Sequence, residues 1–235
     1  MARRFLTRDF RIPLSPEDYC PTCEYPLRTR PCEECARRAK ADSDTRDEWI
    51  KTMGGERFWT LYTEQRYVKT QFNAQAYAAA KAFNWRKADF LLHGPAGTGK
   101  SHLVAIMKRP WVMAGLKVMT VFMQDELRQA KENFKAKHLL EDRIKSMVNA
   151  PVLSIEDMGV EKPSAWVVNE WYYPIIDGRY RVNRKGLIVT MNQSLSEIEG
   201  LWSPFDPYGR IVSRLKEMFK GNIHSLHGEK DWRQE

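Results

Sequence analysis

The chain has 235 residues, 43% of them hydrophobic, and its 38 Lys and Arg against 30 Asp and Glu give a formal net charge of +8. That hydrophobic share excludes a wholly disordered chain, the length suffices for one ordinary domain plus a small appendage, and no stretch approaches the ~18 apolar residues of a membrane helix. The basic surplus suits a polyanionic partner without requiring one. The charged start, residues 1–10, lacks the apolar run of a signal peptide, so a cytoplasmic location and no membrane contact are expected.

All four cysteines fall within residues 20–35, as the C-x2-C pairs Cys20, Cys23 and Cys32, Cys35. Two such pairs bring four thiolates into tetrahedral reach of Zn2+, and a segment this poor in apolar residues needs a staple to fold. The spacing predicts a Zn(Cys)4 knuckle. The alternatives are two disulfides, which a reducing cytoplasm disfavours, or four free thiols. Arginines flank the knuckle on both sides, among them Arg8, Arg11, Arg28, Arg30, Arg37 and Arg38, which suits either nucleic acid or a protein surface. Residues 41–48 are polar and lack a helical apolar face, and Gly54-Gly55 follows, so this stretch reads as a linker. The chain thus divides into a zinc-binding module with its linker over 1–50 and a larger domain over 51–235.

From about residue 67 the spacing of Tyr67, Phe72, Ala76, Ala80 and Phe83 predicts a helix ending near Asn84. Short apolar runs then alternate with amphipathic helices. Strands are expected at 89–93, 117–122, 151–155 and 186–190, with helices from 100, over 125–137, on to 148, and over 167–180. This alternation predicts an α/β fold, a parallel sheet with helices on both faces.

Between the first strand and its helix stands Gly94-Pro95-Ala96-Gly97-Thr98-Gly99-Lys100-Ser101, which matches G-x4-G-K-[ST] in the strand–loop–helix context that gives the motif meaning. Glycines let successive backbone N–H groups turn toward one point, the helix N-terminus adds partial positive charge, Lys100 reaches the β- and γ-phosphates, and the Ser101 hydroxyl suits Mg2+. A nucleoside triphosphate is the expected ligand. Glu156 and Asp157 end the apolar run at 152–155, the Walker B position; the first acid is expected to hold Mg2+ and the second to orient and deprotonate the attacking water. A surface turn with two solvated acids is the plain alternative. Asn192, at the tip of the next strand, is placed to position that water, although Asn also commonly opens a turn. Arg210 and Arg214 lie four apart on one helical face beside the stripe Ile211, Val212, Leu215, Met218 and Phe219.

With these motifs in order, residues 56–235 resemble the AAA+ ATPases of the DnaC/DnaI helicase-loader group, which also includes the transposition helper IstB. The landmarks are the run from Asn73, the P-loop followed by His102-Leu103, Glu126-Leu127, Phe134-Lys135, Glu156-Asp157-Met158-Gly159, the run Ile176 to Tyr180, Thr190-Met191-Asn192, Gly209 to Leu215, and Asp231-Trp232-Arg233. The resemblance implies an AAA+ P-loop NTPase with a reduced or absent lid. It also implies that the protein loads the replicative hexameric helicase onto single-stranded DNA, the zinc module gripping the helicase and ATP and Mg2+ serving as cofactors. His102 extends the nucleotide-binding loop, Asn192 falls at sensor 1 and Arg233 at sensor 2. Arg214 falls at the arginine finger that completes a neighbouring subunit's site, which implies self-association. Phe134, Lys135, Ser164 and Trp166 fall where loaders contact single-stranded DNA. The family usually has Asp first in the acid pair; Glu156 here shifts carboxylate reach by about one methylene, so slow hydrolysis is expected. Two rival functions are an IstB-like transposition helper and a zinc-dependent adaptor on a degenerate ATPase core.

Overall fold

Five short strands form one parallel sheet: β1 (Phe90–His93), β2 (Val118–Phe122), β3 (Val152–Met158), β4 (Leu187–Met191) and β5 (Ile223–Ser225), in the spatial order β2-β3-β4-β1-β5. They belong to a computed structural model, which describes residues 33–132 and 137–232. All four strand pairings are parallel. β4 is buried at every position, the mark of a strand covered on both faces by helices. Alternate residues serve opposite layers. In β3, Leu153 and Ile155 join one core with Leu127, Met147, Ile175 and Leu215, while Val152 joins the other with Phe90, Leu92, Leu103 and Val104.

The helices are α1 (Glu33–Met53), α2 (Glu56–Thr60), α3 (Ala74–Ala82), α4 (Lys100–Met113), α5 (Met123–Glu132), α6 (Lys137–Asn149), α7 (Ala165–Val167), α8 (Tyr173–Arg181), α9 (Leu195–Trp202) and α10 (Arg210–Met218). A short π-helical turn, Val168–Tyr172, joins α7 to α8. Among the described residues no α-helix follows β5, and no helix is long and apolar enough to cross a membrane.

Two features position the rest. β4 is inserted between β1 and β3, so its C-terminal tip lies between the loop after β1 and the acids of β3. The β3–β4 register also slips between Ile155 and Met158, which breaks the ladder at the acid pair.

Chain segments 1–48 and 49–235 form two compact units. The linker expected at 41–48 is instead helical, part of α1. Its residues are exposed, and a segment without an apolar face still forms helix when, as here, it contains neither Gly nor Pro and continues a helix whose flanks are rich in Glu, Ala, Arg and Lys. Thr45 Oγ1 donates to Ala41 O at 2.8 Å, and the helix stops at Gly54 and Gly55, both at positive φ. The helix expected from residue 67 begins only at Ala74, because Asn73 turns the chain: its Oδ1 accepts from Thr70 N at 3.0 Å and its Nδ2 donates to Val68 O at 2.9 Å. The knuckle expected at Cys20, Cys23, Cys32 and the Cys35 side chain lies outside the described residues.

Candidate functional site

The loop between β1 and α4 takes its shape from glycine. Gly94, Gly97 and Gly99 have φ of 150°, 81° and 89°, backbone that an L-residue adopts only under strain. At Gly97 space matters as well, since a Cβ there would sit 1.8 Å from Asp231 Oδ1. The following segment is fastened to the same residue by Trp232 N donating to Gly97 O at 3.1 Å. Thr98 is buried and its Oγ1 donates to Pro95 O at 2.9 Å.

Lys100 opens α4. Its Nζ donates to Gly94 O and Pro95 O at 2.8 Å each, and to Asn192 Oδ1 at 3.0 Å. The ammonium is thus folded over the loop's own carbonyls, and the strand order places Asn192 against it from the tip of β4. The loop opens on a cavity of about 420 Å3 whose wall includes Ala96, Gly97, Gly99, Lys100, Ser101, His102, Asp157 and Asn192, a size typical of small-ligand sites. Backbone amides, the N-terminus of a 14-residue helix, and the cations Lys100, Arg57 and Arg66 make this donor set suited to a polyphosphate. Ser101, with an acid across the cavity, supplies the hard oxygens that a phosphate-bound Mg2+ prefers.

The two acids of β3 part company. Asp157 lines the cavity and adopts φ 55° at the register slip, its amide donating to Thr190 Oγ1 at 2.8 Å. Glu156 is only 1% exposed and does not reach the cavity wall. Its Oε1 accepts from Ser154 Oγ at 3.0 Å and lies 3.4 Å from Lys108 Nζ, and its Oε2 accepts from Thr190 Oγ1 at 3.1 Å. Burial pulls the Lys108 ammonium below the usual lysine range, and Glu156 opposes that pull.

Sequence reading missed the opposite wall. Arg57, Tyr62, Arg66, Tyr67, Val68 and Trp232 face the loop. His102 ties this wall to α4: its Nε2 lies 2.7 Å from Thr63 O, its ring stacks on Tyr62 at 5.0 Å, and Tyr67 meets it edge-on at 5.1 Å. Burial lowers the His102 pKa, which favours a neutral ring with its proton on Nε2. The available signal was the aromatic cluster Phe58, Trp59, Tyr62, Tyr67 ahead of the glycine loop, which carries no motif.

The remaining expected residues lie elsewhere. Arg214 is away from the cavity wall, its Nη2 2.9 Å from Asp177 Oδ1 and its guanidinium between the Tyr173 and Tyr180 rings at 5.3 and 5.5 Å. Arg210 pairs with Asp206 at 3.3 Å. Ser164 caps α7, accepting from Val167 N at 3.2 Å. Trp166 packs edge-on against Trp171 at 6.1 Å with Lys131 Nζ over its ring at 5.8 Å. Phe134, Lys135 and Arg233 lie outside the described residues.

Residues 63–205 match the model of the family described as IstB-like ATP binding protein. The chain belongs to that family. It is 26% identical over 201 residues to the replicative helicase loader DnaC of Escherichia coli K12, spanning 72% of this chain and 78% of that one. Among solved structures, the crystal structure of the DnaC helicase loader is similar with a TM-score of 0.56 at 24% identity, over 75% of this chain and 100% of that one. DnaI gives 0.55 at 18%, over 68% and 87%, and replication initiator DnaA bound to AMPPCP and single-stranded DNA gives 0.58 at 19%, over 71% and 50%. These likenesses bear out the expected AAA+ P-loop fold for the IstB-like chain, and the family's description makes ATP its ligand class.

Proposed function

We propose that this IstB-like protein is an ATP-dependent loader of the replicative DNA helicase onto single-stranded DNA, acting in the cytoplasm. The observation that carries the reading is the pairing of a glycine-loop cavity suited to a triphosphate with extended similarity to a replicative helicase loader. In this reading the loop from Gly94 to Ser101 holds the phosphates, Lys100 moves from its carbonyl partners to the phosphate oxygens, and Ser101 with the acid across the cavity accommodates Mg2+; Glu156, expected from the motif to hold the metal, is kept from it by its partners inside the sheet. Asp157 faces the cavity, where a carboxylate orients and deprotonates the attacking water, and Asn192 holds that water's far side. Arg214 reaches a neighbouring copy's site, so turnover follows assembly. Ser164 and Trp166 border the strand of DNA, together with Phe134 and Lys135. Residues 1–50 form the module that grips the helicase around Zn2+ on Cys20, Cys23, Cys32 and Cys35, and 51–235 form the ATPase.

Mixing the full chain with the replicative helicase of its host and measuring co-elution, with and without ATP, tests the proposal. A complex that forms with the wild type and fails to respond to ATP in Lys100→Ala supports it. No complex under any nucleotide condition rejects it. The family match over 63–205 favours a second reading, a transposition helper; assembly on duplex DNA together with a transposase, without helicase binding, would select it.

A further inference from the structure

Lys108 lies two turns into α4 from Lys100 and is wholly buried, a position where a helix ordinarily places an apolar side chain. Its three ammonium protons meet three acceptors: Glu156 Oε1 at 3.4 Å, Ser154 Oγ at 3.3 Å and Thr120 Oγ1 at 3.1 Å. Thr120 Oγ1 in turn donates a hydrogen bond to Thr52 O at 2.7 Å. On the other side of the pair, the Glu156 carboxylate accepts hydrogen bonds from the Ser154 and Thr190 hydroxyls. Charge and protons are thus accounted for within one closed network linking α1, α4, β2, β3 and β4. A buried ammonium or carboxylate alone is costly, so each member depends on the other.

The consequence for the site lies in where this leaves the two acids. Glu156 has the longer side chain, and it is spent on Lys108. Asp157, turned outward by the register slip and by Thr190, is the one acid in the cavity wall among the described residues, beside Lys100 and Ser101.

We propose that Lys108 is a positioning residue that holds Glu156 back inside the sheet, so that Asp157 alone of the pair meets a metal-bound nucleoside triphosphate at the glycine loop. This rests on the ATP-site reading above. It reverses the order of roles that the two-acid motif suggests, and makes Glu156 a partner of the fold.

The test uses the full chain and a fluorescent ATP analogue, mant-ATP, titrated in Mg2+ and in EDTA, with melting midpoints measured alongside. Wild type binds more tightly in Mg2+. Asp157→Asn cuts that metal-dependent gain by about tenfold, the loss of one charge-assisted contact, whereas Glu156→Gln changes it by less than about threefold. Lys108→Met and Glu156→Leu each lower the midpoint by about 10 °C, and combining them recovers most of the loss. The decisive variant is Lys108→Met in the Asp157→Asn background, where the released Glu156 carboxylate restores part of the metal response. Should Lys108→Met melt below the assay temperature, Lys108→Gln, which keeps donors for Ser154 and Thr120, replaces it. The proposal is overturned by a metal response lost in Glu156→Gln and kept in Asp157→Asn, by no restoration on removing Lys108, or by unrecovered melting in the combined variant. A wild type that binds no mant-ATP refutes the ATP-site reading instead, while the melting arm still decides whether Lys108 and Glu156 are mutually dependent.

Discussion

Arg214 offers a prediction in which stability and turnover separate. Its side chain is 22% exposed and that of Asp177 10%, with Nη2 and Oδ1 2.9 Å apart; the other Asp177 oxygen holds Arg181 Nε at 2.7 Å. Coulomb attraction at this depth is worth about 4 kcal/mol at 4 Å with an effective dielectric near 20, and desolvation with side-chain ordering cancels much of it, leaving about 1–2 kcal/mol. Arg214→Ala and Asp177→Asn are therefore both expected to lower the melting midpoint by about 5 °C. Their effects on catalysis differ. An arginine supplied across a subunit seam typically contributes about 1,000-fold or more to phosphoryl transfer, roughly 4 kcal/mol. Arg214→Ala should thus bind mant-ATP like the wild type and hydrolyse ATP about 1,000-fold more slowly, while Asp177→Asn keeps turnover because the guanidinium remains. Mixing Arg214→Ala with Lys100→Ala should recover activity, since the second variant lends its intact arginine to the first variant's intact loop. Wild-type turnover in Arg214→Ala, or no recovery on mixing, would refute the reasoning.

Other outcomes follow from the same geometry. Lys100→Ala removes the one flexible cation of the loop and should weaken ATP binding by about tenfold to a hundredfold, the worth of one or two charge-assisted hydrogen bonds, as read by isothermal titration; unchanged affinity would detach the loop from the ligand. Arg179 is completely buried, with Nη1 donating to Met147 O, Val148 O and Ala150 O and Nη2 to Lys185 O. Arg179→Met strands these carbonyls and should cost at least about 4 kcal/mol, or roughly 10 °C in a thermal melt. Elemental analysis of freshly purified protein should find one zinc per chain, and a strong chelator should abolish helicase co-elution while leaving mant-ATP binding intact; metal-free protein that still binds the helicase would remove the knuckle from that contact.

The parts of the site that were legible in sequence are those whose chemistry is local. Gly94 to Ser101 announces itself because glycines, lysine and serine must be contiguous to wrap a phosphate, and Glu156, Asp157 and Asn192 because they end apolar strands. What escaped notice depends on contacts distant along the chain. Lys108 reads as a solvated position of an amphipathic helix until the sheet brings Ser154 and Glu156 beneath it. Arg179 reads likewise until the end of α6 and the loop at Lys185 close over it. Tyr67 and Val68 form a cavity wall only because the chain ahead of α3 turns back over α4, a turn fixed by Asn73. The helix across 41–48 was hidden for another reason: apolar periodicity reports burial, and a helix bathed in solvent on all sides gives no such signal.

The insertion of β4 between the other two functional strands makes it a mechanical crossbar. Thr190 on it and Asn192 just past its end hold the opposite halves of the site, Asn192 accepting from the lysine and Thr190 fastening both the backbone amide of Asp157 and the inward carboxylate of Glu156. Lysine and acids are thus geared to a common rod, and in the proposed reading a phosphate that draws Lys100 away from Asn192 acts on the same strand that holds both acids.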